Sequence, residues 1–525
     1  MKEEAVYPST SPEASINSST PGGPPPKKKQ KRNKPTLSCE ECVERKTKHL
    51  TQPFFGLGSE HPFANYWTSR GGLAEVVGVL PAKEQADILV DKYFDAVDPV
   101  YPMIHRRNFY ADYERFWAMS LEEKQAADPV MVALHFVVYA MGTQFIHTPS
   151  NAERAQIAEF YVSAAQQALR LSSYLSRASV RTLQAMVLIG YFLMNDNHAS
   201  DAWAFGGVLV RQAYAMGLHR DPDVIAPRCS RSDKQQRRKL WQAIFFQDTF
   251  LTVLLKLPPT TTFSDVRPES LDDSLDDYAM PNGSSNGSTD PILNPMSITH
   301  IAQLKDVYPP YELADRRYIR SMWHMANLVS RTVCTPRSLS TPLTTSLAHK
   351  HQLIDEYFSL HRSFPSELTA SDDATIRALA DTNPRSLRQN LFFRSNFWHC
   401  VMVIQSDENL TEGYMCEVKG CLEAARMAVQ SFFHFWDYLK TDAGVWWVFQ
   451  HRAFEEALLM ARILGQQEQA LSPGHNGPPS TDPLLMAAKE DARKCLEILD
   501  LVGIAPEMQK TRTEVLRTAF ADILW

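Results

Sequence analysis

Cysteine is scarce in this chain, with eight in 525 residues, and most stand alone inside apolar helical patterns, as Cys334, Cys400, Cys421 and Cys495 do. That excludes the dense disulfide framework of a small secreted domain and points to a reducing compartment. An apolar leader is also missing, since residues 1–26, MKEEAVYPSTSPEASINSSTPGGPPP, hold no hydrophobic stretch of the kind a secretory signal needs. The longest apolar runs, near Val130–Met141 and Leu183–Met194, fall well short of the ~20 residues that span a bilayer. No membrane partner is expected.

Two further absences bear on chemistry and topology. The chain has no Gly-rich phosphate loop and no H-E-x-x-H zinc helix, and no catalytic residue is assigned. It also lacks two-residue apolar alternation flanked by hairpin turns, and any fixed-period repeat, which argues against a sheet and against a solenoid.

What is present, from about Ala82 onward, is helical spacing. Apolar residues recur at three- and four-residue intervals in Ala86–Val97, Pro129–Phe145, Ala152–Leu171, Val180–Met194, Ala202–Met216 and Lys234–Leu255. The same spacing marks Ala314–Val333, Ser386–Val403, Cys416–Leu439, Gly444–Leu464 and Leu484–Leu501. The expected fold is all-α, a large multi-helix body over residues 82–525, with 44% apolar composition to fill its core. Two stretches rich in turn formers, near residues 257–294 and 465–482, read as loops. Trp203, Tyr214, Trp241, Phe245 and Phe246 are expected core residues, and His219-Arg220-Asp221 reads as a helix end.

The front of the chain is different. Residues 1–38 are rich in Ser, Pro, Gly and Lys with almost nothing to bury, so disorder is expected. Nine basic and three acidic side chains between Lys27 and Lys48 leave a local net charge of +6, in a chain whose total is −6. Phosphate neutralisation dominates most DNA affinity, so any direct contact with nucleic acid should lie here. Lys27, Lys28, Lys29, Lys31, Arg32 and Lys34 have the composition of a nuclear import signal, which predicts a nuclear protein recognised by the import machinery.

Residues 39–49 carry the chemistry. Cys39 and Cys42 form a C-x2-C pair, which can grip one zinc while a short helix starts between the ligands, and a basic run leads from it to His49. This segment resembles the opening of the fungal Zn2Cys6 binuclear-cluster transcription factors, whose pattern runs C-x2-C-x6-C, a Pro loop, then C-x2-C-x6-C. By that resemblance Cys39 and Cys42 match the first two zinc ligands, Lys46 the base-reading lysine for a CGG triplet, and Arg45 and Lys48 the phosphate contacts.

The likeness then breaks off, because His49 stands at the third ligand position and no cysteine follows in residues 50–81, which read as a linker. A binuclear site cannot be completed from this set. A single zinc on Cys39, Cys42 and His49, with His61 as a fourth donor, is one reading; a metal-free basic remnant is a second, and an altered gene or transcript junction a third. The linker also lacks a/d heptads, so the coiled-coil dimerisation common in that family is not expected.

The helical body resembles the same family's middle homology domain over roughly residues 82–270. The matches are Asp98–His105, Tyr113–Trp117, Leu183–Ala185, Ala202-Trp203, Gly206, Gly217–Asp221, Arg237–Trp241 and Gln247-Asp248; Leu257-Pro258-Pro259 departs from the family's usual turn. The resemblance implies a nuclear regulator of RNA polymerase II target genes whose helical domain meets protein partners or a small effector, with DNA binding impaired by the incomplete cluster. The alternatives are an interaction protein that does not bind DNA and, from Asp272-Asp273-Ser274-Leu275-Asp276-Asp277, an isoprenoid cyclase with a magnesium-binding acidic run.

Overall fold

The structure, a computed structural model, describes residues 71–148, 150–262, 264–267, 309–334, 342–410, 412–471, 482–502, 506–521 and 523. The basic arm, the Cys39–His49 segment and the Asp272–Asp277 run lie outside the described residues. Among those described, twenty helices form and the one strand-like feature is an isolated bridge between Asn409 and Tyr414, in agreement with the all-α reading.

The helices, in order, are α1 Leu73–Gly78, α2 Lys83–Ala96, α3 Arg106–Ala118, α4 Leu121–Gln125, α5 Pro129–Phe145, α6 Asn151–Leu171 and α7 Val180–Asn195. They continue as α8 Ala199–Ala215, α9 Pro222–Ile225, α10 Arg231–Leu255, α11 Pro309–Thr332, α12 Leu347–Ser363, α13 Ser366–Thr369 and α14 Asp373–Thr382. The last six are α15 Pro384–Gln405, α16 Val418–Tyr438, α17 Lys440–Val445, α18 Trp447–Leu471, α19 Pro483–Leu501 and α20 Pro506–Phe520.

Local rules set the strongest boundaries. Helix α5 starts where Asp128 caps the Val130 amide and Pro129, with no N–H to lose, takes the first position. Ser179 caps α7 at the Thr182 amide, and Ser120 with Glu123 closes a reciprocal capping box on α4. Helices α5 and α7 are buried almost all round, as expected for helices that are apolar on every face. These are the longest apolar runs of the sequence, yet no described helix is long and apolar enough to cross a membrane.

Helix α5 packs on α2, α6 and α7 on one side of the body, while α15, α16, α18 and α19 pack together on the other. Helices α10 and α11 join them, and one hydrophobic core runs through the described residues from Val76 to Ile523. Its centre is the non-helical strap between α2 and α3. There Tyr101 stacks on Tyr191 of α7 at 3.6 Å and meets the edges of Phe246 of α10, Phe392 of α15 and Trp446 between α17 and α18. Strap carbonyls are tied off by side chains, since Tyr318 donates to Val100, Gln389 to Pro99 and Gln184 to Met103. Buried backbone polar groups need such partners when no helix supplies them.

Several expectations change. Helix α18 runs through Gly465 to Leu471, so the break placed at 465–482 starts later, and the expected single helix from Gly444 is split at Trp446 between α17 and α18. Helix α1 lies inside the expected linker, and α3, α12 and α14 were not legible because each buries few residues: Phe109, Tyr113 and Phe116 for α3 and Ile376 alone for α14. Trp241, Phe245 and Phe246 are buried as expected, whereas Trp203 and Tyr214 are only partly covered.

Candidate ligand-binding site

A cleft of about 670 Å³ opens where the strap meets α15 and the turn between α16 and α17. That volume falls in the ~300–1,000 Å³ range of small-molecule sites. Its charged lining is mostly basic: Lys92, Arg106, Arg385, Arg388 and Lys440 against Asp95 and Asp442, with Phe94, Phe145 and Leu439 as apolar wall.

Four of these cations are held by specific contacts. Arg385 donates to Asp98 at 2.7 Å and to both carboxylate oxygens of Asp315 at 2.8 and 2.7 Å, joining the strap, α11 and α15. Burial pushes the Arg385 guanidinium down, but the Asp315 and Asp98 charges outweigh that and hold it above its ordinary value. Its Nη1 is buried with no protein partner. Arg106 lies over the Phe94 ring at 4.6 Å and donates to the Phe94 carbonyl at 2.8 Å. Arg388 makes a two-pronged contact with Asp442, at 2.7 and 3.2 Å, and Lys440 sits over Trp436 at 4.5 Å.

Chemically, this lining suits an anion. Among the described residues, no group of three or more His, Cys, Asp or Glu could hold a metal ion.

The sequence did not single out this cleft, although it carries one signal. Arg385 occupies the first turn of α15, which has no acidic residue, and Arg106 opens α3 in the same way. Cations at helix N-termini oppose the macrodipole, so a cluster of them marks a place where some other demand prevails.

The residues matched to the family's middle domain turn out to be fasteners. Gly217 has φ +70 after α8, a conformation glycine adopts without strain. Asp221 caps α9 and receives Arg238 at 2.9 Å, placing His219–Asp221 at a helix junction, as expected. The Gln247 side chain reaches the Val187 carbonyl at 3.1 Å beside Gly190, where a Cβ would crowd it. Asp248 accepts from the Thr260 and Thr261 amides and from the Thr261 hydroxyl at 2.6 Å, which anchors the loop containing Leu257-Pro258-Pro259. The sequence-derived metal ligands Cys39, Cys42 and His49, DNA contacts Arg45, Lys46 and Lys48, and the import cluster Lys27–Lys34 are all outside the described residues.

Residues 90–305 match the family described as the fungal specific transcription factor domain. Among curated proteins, the chain is similar to the Zn(2)-C6 fungal-type transcription factor mpsB of Macrophomina phaseolina, 30% identical over 195 residues, covering 35% of this chain and 25% of the relative. It is similar to the transcription factor opdR of Penicillium oxalicum, 27% identical over 208 residues, covering 38% and 25%. The equisetin cluster transcription factor eqxF of Fusarium heterosporum is 28% identical over 198 residues, covering 35% and 28%. The alignments thus span about a quarter of the length of these relatives. Residues 90–305, which enclose the strap and one wall of the cleft, are thus similar to the fungal specific transcription factor domain.

Proposed function

We propose that this chain is a nuclear transcription regulator acting on RNA polymerase II target genes, with a basic arm for nucleic acid and a helical body that regulates it without catalysing a reaction. The observation that carries this is the domain match over residues 90–305. A +6 arm in a −6 chain supports the placing of DNA contact at the front.

In this reading Arg45 and Lys48 meet phosphates and Lys46 approaches the bases of a CGG half-site. Two thiolates and an imidazole, Cys39, Cys42 and His49, do not fit a binuclear zinc cluster, which calls for six cysteines. Contact with DNA is therefore weak and mostly independent of sequence. That shortage of ligands also favours a second reading, in which the body acts on partner regulators and the arm serves import alone. The cleft beside Arg385 is the proposed seat of a small organic anion as effector, since Lys92, Arg388 and Lys440 can meet a carboxylate or phosphate at its mouth.

The test is localisation and reporter output of the full chain with Lys27, Lys28, Lys29, Lys31, Arg32 and Lys34 replaced by alanine. Loss of nuclear accumulation together with loss of the reporter effect supports the proposal. Unchanged nuclear accumulation, or a reporter that the unsubstituted chain does not move, overturns it.

A further inference from the structure

Six cysteines lie among the described residues, and their settings differ. Cys334 donates to the Thr249 carbonyl at 3.4 Å and Cys495 to that of Ala453 at 3.4 Å, each from a buried position. Burial pushes the Cys400 thiol up to about 12, which leaves it unreactive. Cys416 and Cys421 are placed otherwise. Their sulfurs are 3.3 Å apart, with Cys421 fully buried and Cys416 half-buried just ahead of α16.

The surroundings hold this pair in place. Glu417 caps α16 at the Gly420 amide and its own amide donates to the Gln405 carbonyl at 3.1 Å, fixing the chain between the two cysteines. Lys350 donates to the Gln405 and Asp407 carbonyls at 2.7 Å and lies 5.9 Å from the Tyr414 ring centre. Asp407 in turn receives the Leu343 and Thr344 amides at 2.8 and 2.7 Å and so braces the approach to α12.

We propose that Cys416 and Cys421 form a reversible oxidation site, in which a hydroperoxide converts the two thiols to a disulfide that ties residues 412–417 to the first turns of α16. Closing a 3.3 Å gap to the ~2.05 Å of a disulfide needs little more than ~1 Å of movement. The roles differ between the partners. The hydrogen bond from Cys421 holds the Cys416 thiol below its ordinary range against the opposing effect of burial, with Lys350 adding to the lowering. The same contact, and burial, push Cys421 up. Cys416, half-buried where Cys421 is fully buried, is the sulfur a peroxide can reach, which makes it the attacking thiolate and Cys421 the resolving thiol.

The chemistry balances in two steps. The Cys416 thiolate attacks one peroxide oxygen; an S–O bond forms, the O–O bond breaks, and the departing hydroxide or alkoxide takes a proton. The Cys421 sulfur then attacks the Cys416 sulfur; an S–S bond forms, the S–O bond breaks, and water leaves with the Cys421 proton. The two sulfurs lose two electrons, which the peroxide accepts. A thiol reductant reverses the change, as suits a site in a reducing compartment.

The proposal does not depend on the transcriptional reading. The test treats the purified full chain with hydrogen peroxide, blocks remaining thiols by alkylation, and maps tryptic peptides. Cleavage at Lys419 separates the partners, so the expected product is the peptide of residues 420–426 joined through Cys421 to Cys416 in the peptide of residues 395–419. Fragmentation must place the bond on Cys416 and not on Cys400. Reductant should abolish the product, and Cys421→Ser and Cys421→Ala should both instead leave a sulfenic acid at Cys416 that a dimedone probe captures. Full alkylation of Cys416 and Cys421 after peroxide, a bond through Cys400, or no dimedone adduct in either Cys421 variant overturns the proposal. Oxidation confined to Cys39 and Cys42 overturns it equally.

Discussion

Replacing Arg385 with methionine removes a cation shared by Asp98 on the strap and Asp315 on α11, where all three side chains are largely buried. The side chains of Arg385, Asp98 and Asp315 are 11%, 3% and 18% exposed. Breaking a buried pair by deleting one partner costs about 3–5 kcal/mol, because the remaining charge stays desolvated. Here the two carboxylates keep some support, Asp98 from Arg106 at 3.3 Å and Asp315 from Gln389 at 2.6 Å, which places the expected loss near the lower end, about 3 kcal/mol. The assay is denaturant unfolding of the full chain followed by far-UV circular dichroism, with Asp315→Asn and the double variant completing a cycle. Removing the stranded charge should recover part of the loss, so the double variant should be at least about 1 kcal/mol less damaged than the sum of the singles. A single-variant loss under about 1 kcal/mol, or strict additivity, would refute the claim that this cluster fastens the two sides of the body.

Other outcomes follow from the packing. At Gly142 of α5 a Cβ would run into the Leu89 carbonyl of α2, while at Gly465 of α18 nothing lies within 4 Å. Gly142→Ala should therefore destabilise by about 1–3 kcal/mol and Gly465→Ala should stabilise by about 0.5–1 kcal/mol, both read from thermal midpoints; equal effects would contradict the helix contact described. His135 is enclosed by Phe109, Tyr113, Phe116 and Tyr139, and burial, with Arg181 contributing, lowers its pKa to about 3. Its folded pKa lies below the unfolded ~6.5, so the unfolded state binds more protons and stability is lost as pH falls from 6.5 toward 3, by about 2 kcal/mol at pH 5. His135→Leu should flatten that dependence, and an unchanged slope of stability between pH 7 and pH 5 would show that other groups carry it. In the cleft, Arg388→Ala and Lys440→Ala should each weaken binding of a carboxylate or phosphate probe, measured by calorimetry; a small anion that binds both variants as tightly as the parent would remove the cleft from the effector proposal.

The parts of the fold that the sequence revealed were those governed by periodicity and caps. Helices α5 and α7 combine an unbroken apolar character with Asp128-Pro129 or Ser179 at the start, so both type and boundaries could be read locally. Helices α3 and α14 could not, because their few buried residues acquire partners only from distant elements. The same reasoning explains the cleft. Asp98, Asp315 and Arg385 are separated by more than 60 residues at every step, and nothing local joins them except the oddity of an arginine in the first turn of α15. Cys416 and Cys421 were close in sequence, but only the Glu417 cap, which turns the chain between them, brings the sulfurs together.

The most direct test of the account is fluorescence anisotropy of the full chain on two duplexes, one with CGG half-sites and one without, over a salt series. The account predicts equal affinity for both, in the ~10⁻⁴–10⁻⁶ M range at physiological salt and falling steeply as salt rises. A preference for the CGG duplex that persists at high salt and disappears in Lys46→Ala would show that residues 39–49 still read sequence, and would contradict it.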